Sequence, residues 1–163
     1  MKYLALALFL VSLPAAAAYD IKGVTLGATE KDVVRALPSA HCKKLEWESR
    51  AADRRCDDSR VSFGGVEVKV TFYLKKDAVE AFDVRFDTRE IDRFVGFLKS
   101  RYGVPKSETR DEIKRDGKGA RKVHKALWED AGERAVLVAQ LEKGRASMLV
   151  SRGAFDEEIY KVR

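Results

Sequence analysis

Between Arg60 and Asp87 apolar and polar residues alternate with period two, and this stretch organises the reading of the whole chain. In "RVSFGGVEVKVTFYLKKDAVEAFDVRFD", Val66, Val68, Val70, Phe72 and Leu74 take one side, and Glu67, Lys69, Thr71 and Tyr73 the other. Such alternation predicts a strand with one buried face. Gly64 and Gly65 supply a tight turn from the "RVSF" strand, and "KKDA" leads into a third strand whose Phe82, Val84 and Phe86 join the apolar side. The prediction is an antiparallel meander that presents Glu67, Lys69, Thr71, Tyr73, Asp83 and Arg85 on its other face.

The period then changes to that of a helix. Ile91, Phe94, Val95, Leu98 and Tyr102 form one continuous stripe, with Asp87 or Thr88 as cap, Glu90 at the capping-box position, and Gly103 and Pro105 as stops. A shorter helix is predicted upstream, where Thr29 caps, Asp32 stands three residues on, Val33, Val34 and Leu37 share a face and Pro38 ends the run. Residues 106–122, "KSETRDEIKRDGKGARK", hold seven positive and four negative charges and almost nothing apolar, which reads as a mobile linker or a long hairpin connection. Three more strands follow, at about 123–129, 134–141 and 146–151, and Phe155, Ile159 and Val162 suggest a short final helix. Because the strands come in consecutive runs, the expected class is α+β: an antiparallel sheet with helices packed on one face. The order of a helix and three strands, given twice, suggests two tandem units, 19–87 and 88–163, inside a single domain of residues 19–163.

The first 18 residues decide how the cysteines are read. Lys2, the uncharged run "YLALALFLVSL" and the small-residue site Ala16-x-Ala18 have the form of a secretory leader. The run is shorter than the roughly 20 apolar residues of a spanning helix, so residues 19–163 are expected to be periplasmic or secreted without a stable membrane span. The formal net charge of +6 falls to +5 once Lys2 leaves with the leader. Positive and negative side chains are interspersed, with no basic stripe set with stacking aromatics, so nucleic acid is not an expected partner.

In an oxidising compartment two cysteines read as one disulfide, Cys42 to Cys56. Neither a C-x-x-C redox spacing nor the paired spacing of zinc ligands is present, and no metal or other cofactor is expected. Inside that loop Trp47 stands among Lys43, Lys44, Arg50, Arg54 and Arg55. It either covers the core or serves, with Arg50, as an anchor of the type that dominates interfaces. His41 and His124 belong to no nucleophile motif, and the neighbouring carboxylates Asp57 and Asp58 would point to opposite faces of a strand, so no catalytic residue is assigned and the protein is not expected to be an enzyme.

"GVTLGATEKDVVRALP" resembles the opening helix motif of the SmpA/OmlA outer-membrane assembly lipoproteins, and the plan of two helix-plus-sheet units is similar to that of the β-lactamase inhibitor protein group. Tyr19, where a lipid-bearing cysteine would stand, is a departure from the former. The resemblance implies an exported, non-enzymatic protein-binding module of inhibitor, immunity or envelope-assembly type whose partner is another envelope or secreted protein. Candidate partner-binding residues are Trp47, Arg50, Lys69, Tyr73 and Arg85, and exposed edge strands offer a second mode, the acceptance of a partner strand. The alternative is binding of an envelope lipid, a glycan or a small ligand, and behind it a hydrolase. The sequence leaves the oligomeric state open.

Overall fold

The structure, a computed structural model, describes residues 19–115 and 119–161. The expected leader, residues 1–18, and Val162 lie outside the described residues. Two short strands, β1 (Asp20–Ile21) and β2 (Val24–Thr25), open the chain and precede helix α1 (Glu30–Ala36). The cap predicted at Thr29 is present as a full capping box: its hydroxyl accepts from the Asp32 backbone N–H at 3.2 Å, and the Asp32 carboxylate accepts from the Thr29 N–H at 3.0 Å.

Eight further strands build one antiparallel sheet. In chain order they are β3 (His41–Lys44), β4 (Arg54–Phe63), β5 (Val66–Lys75), β6 (Ala78–Asp87), β7 (Ser107–Arg115), β8 (Gly119–Asp130), β9 (Glu133–Gln140) and β10 (Arg145–Arg152). Their order across the sheet is β3-β4-β5-β6-β10-β9-β8-β7. Each run of strands is therefore a four-stranded meander where three strands were expected. Residues 106–122 hold the whole of β7 and the start of β8 and are not a linker. Ladder hydrogen bonds to β8 on one side make a strand there despite the lack of apolar residues.

Turn chemistry explains the hairpins. Gly64 and Gly65 both have positive φ, and a Cβ at Gly64 would come within 2.5 Å of the Phe97 ring, so only glycine allows this turn to pass so close under Phe97. The β5–β6 turn uses Lys76 and Asp77, also at positive φ. Two neighbours hold it: the Lys76 N–H donates to Asp53, and the Asp77 carboxylate accepts from the Glu30 N–H at the start of α1.

Helix α2 (Ile91–Tyr102) is preceded by a 3-10 turn, Thr88–Glu90, in which Asp87 accepts from the Arg89 N–H. Glu90 makes no side-chain cap, in contrast to the capping box expected there. The α2 stripe Ile91, Phe94, Val95 and Leu98, with Val33 of α1 and Leu37 at its C-cap, packs on Phe72, Leu74, Phe82, Val84, Leu137, Met148 and their neighbours in one continuous core that spans both meanders. Each fully buried Phe or Leu here stabilises by about 1.5–3 kcal/mol relative to its exposed state. A short third helix, α3 (Phe155–Glu158), departs from the expectation of helices on one face. With Ile159 it packs on Ala81, Tyr73 and Leu149, on the side of the sheet away from α1 and α2. No helix among the described residues is long and apolar enough to cross a membrane.

Candidate functional site on the open sheet face

The face turned away from α1 and α2 is built by strand alternation alone. One row of directly opposed residues crosses all eight strands: His41, Asp57, Thr71, Asp83, Leu149, Val136, Leu127, Ser107. The row beside it runs Lys69, Arg85, Ser147, Val138, Lys125, Thr109. Lys69, Tyr73 and Arg85, three of the candidates named from sequence, thus share one face, as the alternation requires.

Over β4, β5 and β6 this face is a polar net. The Thr71 hydroxyl donates to Asp57 at 2.7 Å and accepts from the Arg85 guanidinium at 2.9 Å. Arg85 also lies 3.2 Å from Asp83, and Arg55 Nε lies 2.9 Å from Asp57, a charge contact without hydrogen-bond alignment. Burial raises the Asp83 carboxyl above its usual range, against the opposing pull of Arg85. Lys69 and Arg85, like-charged and directly opposite, repel each other across the ladder, and no ion pair to Lys69 is present among the described residues. At the rim Lys143 and Arg145 join Arg85, Val138, Gln140 and Ser147 around a cleft of about 390 Å³.

Over β8, β9 and β10 the same face turns apolar. Leu127, Val136, Val138 and Leu149 are half-buried there, with no helix above most of them. The sequence reading missed these four and Lys125, although "AVLVA", residues 135–139, carried the signal: an unbroken apolar run belongs to a strand covered on both sides, not to one with a wet face.

Trp47 and Arg50 sit at the other end of the face, in the loop that connects β3 to β4. Trp47 is half-buried, its indole N–H donates to the Ile159 carbonyl at 3.0 Å, and its ring stacks on the exposed Tyr160 at 5.9 Å. Ser49 donates to the Glu158 carbonyl, and the Arg50 N–H to that of Lys161. The loop is therefore clamped by the segment around α3. Tyr73 is half-buried beneath Phe155, and burial, with Asp83 nearby, pushes its hydroxyl up to about 12. Trp47 and Tyr73 both perform packing work. Arg50, Lys69 and Arg85 are exposed.

Cys42 and Cys56 form the expected disulfide, which joins directly opposed residues of β3 and β4. Glu30 stands beside the two sulfurs, but they are bonded to each other and Glu30 is held by Arg54, so this group offers no set of metal ligands. His124 is buried on the helix side with Nε2 2.8 Å from Glu108, and Glu108 also binds Lys99 at 2.7 Å. His41 is exposed on the edge strand opposite Asp57. Asp57 faces Thr71, while Asp58 is buried and accepts from Ser39 at 2.6 Å, so the two carboxylates point apart.

No protein-family model, no curated protein and no solved structure matches the chain.

Proposed function

We propose that this chain is an exported, non-enzymatic binding module that docks another envelope or secreted protein on its open sheet face. The contact would run from Lys69 and Arg85 across Ser147 and Val138 to Lys125. The observation that carries this reading is the opposed pair Lys69–Arg85 beside the half-buried Val136, Val138 and Leu149. A pair of like charges directly opposite on a ladder costs stability, and an acidic partner would remove that cost while covering the apolar row. The cystine in the neighbouring hairpin fits an extracytoplasmic setting. Arg50, Trp47 and Tyr73 lie toward the other end of the same face, where the segment around α3 covers Tyr73 and clamps the loop.

A photo-crosslinking side chain placed at Val138 should yield a protein adduct in the native compartment, and the same group at Lys31, on the exposed side of α1, should not. Lys69→Glu with Arg85→Glu should reduce the Val138 adduct at least tenfold. A lipid or glycan adduct would favour the alternative reading, and equal labelling from both positions would remove the proposed surface.

A further inference from the structure

The two ends of the sheet are unlike. The β3 end offers four residues before the chain turns into the clamped loop. The β7 end offers nine, "SETRDEIKR", with β8 on one side only and its residues 107–112 exposed. A long open edge is a template for another strand unless its side chains forbid it. Here their order selects one occupant.

We infer that β7 is the edge on which a second copy of this chain pairs, antiparallel and centred on Asp111, about a two-fold axis perpendicular to the sheet. That arrangement keeps like faces together and places each residue opposite its mirror position in the strand. Arg110 then faces Glu112 of the other copy, Glu108 faces Lys114, and each contact occurs twice. Opposite charges directly across a ladder attract. Sliding one copy by two residues in one direction sets Glu108 against Glu112 and Arg110 against itself. Sliding it the other way sets Arg110 against Lys114 and Glu112 against itself. Only the centred register pairs unlike charges over the full strand.

The axis brings Asp111 against its own copy, which is the one repulsive contact. Asp111 lies opposite Val123, so the β8 cations Arg121 and Lys125 are its diagonal neighbours on the same face and offset that repulsion. Lysines alone along an edge discourage pairing; charges that alternate in sign, as they do here, specify a register. The contact extends the open face and its Leu149, Val136, Leu127 row from one copy to the next. It does not depend on the docking proposed above, because it uses the edge of the sheet and not its face.

Sedimentation velocity of the purified protein over a concentration series tests this, with Arg110 and Glu112 as probes because both side chains are exposed, Arg110 making only a 3.4 Å contact to the exposed Asp92. Glu108 is left alone, since Lys99 and His124 already hold it. The protein should dimerise, and added salt should weaken the dimer. Arg110→Glu and Glu112→Arg should each weaken self-association about tenfold, since two symmetry-related pairs change sign at once. Mixing the two variants in equal amounts should restore a dimer, because each then presents the charge the other lacks. Asp111→Asn should tighten the native dimer. A protein that stays monomeric at every concentration, a dimer indifferent to both reversals, or variants that fail to pair when mixed would each overturn the inference. Unchanged melting temperatures in the variants separate lost pairing from lost folding.

Discussion

The two meanders share one core yet treat the opposite face of the sheet differently. Over β4, β5 and β6 the open face satisfies itself: Asp57, Thr71, Asp83 and Arg85 bond to one another, and Tyr73 lies under Phe155. Over β8, β9 and β10 the same face holds Leu127, Val136, Val138 and Leu149, half-buried and largely without a cover. What sits beneath the sheet is common to both halves; what sits above it is not. The difference teaches that strict alternation marks the half whose open face bonds largely within itself, and that a loss of alternation marks the half whose open face is apolar.

The first way to break this comparison is to damage the shared core. Phe72→Ala in the first meander should cost about 3–5 kcal/mol and Leu137→Ala in the second about 2–5 kcal/mol; both residues are fully buried. Trp128 lies in this core and Trp47 in the loop that the segment around α3 clamps, so denaturation followed by fluorescence should show a single midpoint in each variant. Two midpoints would divide the core that the structure makes continuous. Next in size is the disulfide. Replacing Cys42 and Cys56 by serine should cost about 3 kcal/mol for a loop of this length, and reductant should destabilise the native protein while leaving the variant unchanged.

A smaller effect sharpens the contrast between faces. Val136 is the neighbour of Leu137 on β9 but points to the open side, and Val136→Ser should cost less than Leu137→Ala because Val136 is half-buried where Leu137 is fully buried. A loss as large as that of Leu137→Ala would mean that the open face is as closed as the core. The smallest expected effect concerns acid. Hydrogen bonding to Lys99, and then to His124, holds the Glu108 carboxyl below its usual range. A carboxylate lowered in the folded state stabilises above the ordinary glutamate value, and that contribution fades as pH falls through its lowered one. Glu108→Gln should therefore lower stability slightly at neutral pH, leave it almost unmoved below the lowered value, and so flatten the acid limb of a stability profile.

Much of the architecture was legible where side chains alternate or recur with helical period. The β4–β6 meander, the Thr29 capping box and the α2 stripe all follow from local patterns that tertiary contacts then support. Strand β7 was illegible for a physical reason. An edge strand whose residues 107–112 are exposed needs no apolar face, so "SETRDEIKR" carries no periodic hydrophobic signal, and only pairing with β8 gives it shape. Strand β3 was hidden within the cystine loop in the same way. Of the candidate site, Lys69 and Arg85 could be read from the alternation, and the disulfide from counting cysteines. The clamp on Trp47 could not, because its partners Ile159 and Tyr160 are far along the chain.

The seam between β6 and β10 has a kinetic consequence. Every other neighbouring pair in the large sheet joins strands that follow one another in sequence, while this one joins Asp87 to Arg145 and Ala81 to Ser151. Each four-stranded ribbon can zip up from nearby turns, whereas the seam must wait for a search over a long intervening stretch. Until it closes, two apolar-faced borders stand unprotected, and either can be met by the matching border of a neighbouring molecule. Crowded refolding should therefore trap exchanged pairs in which one molecule's β10 completes another's β6.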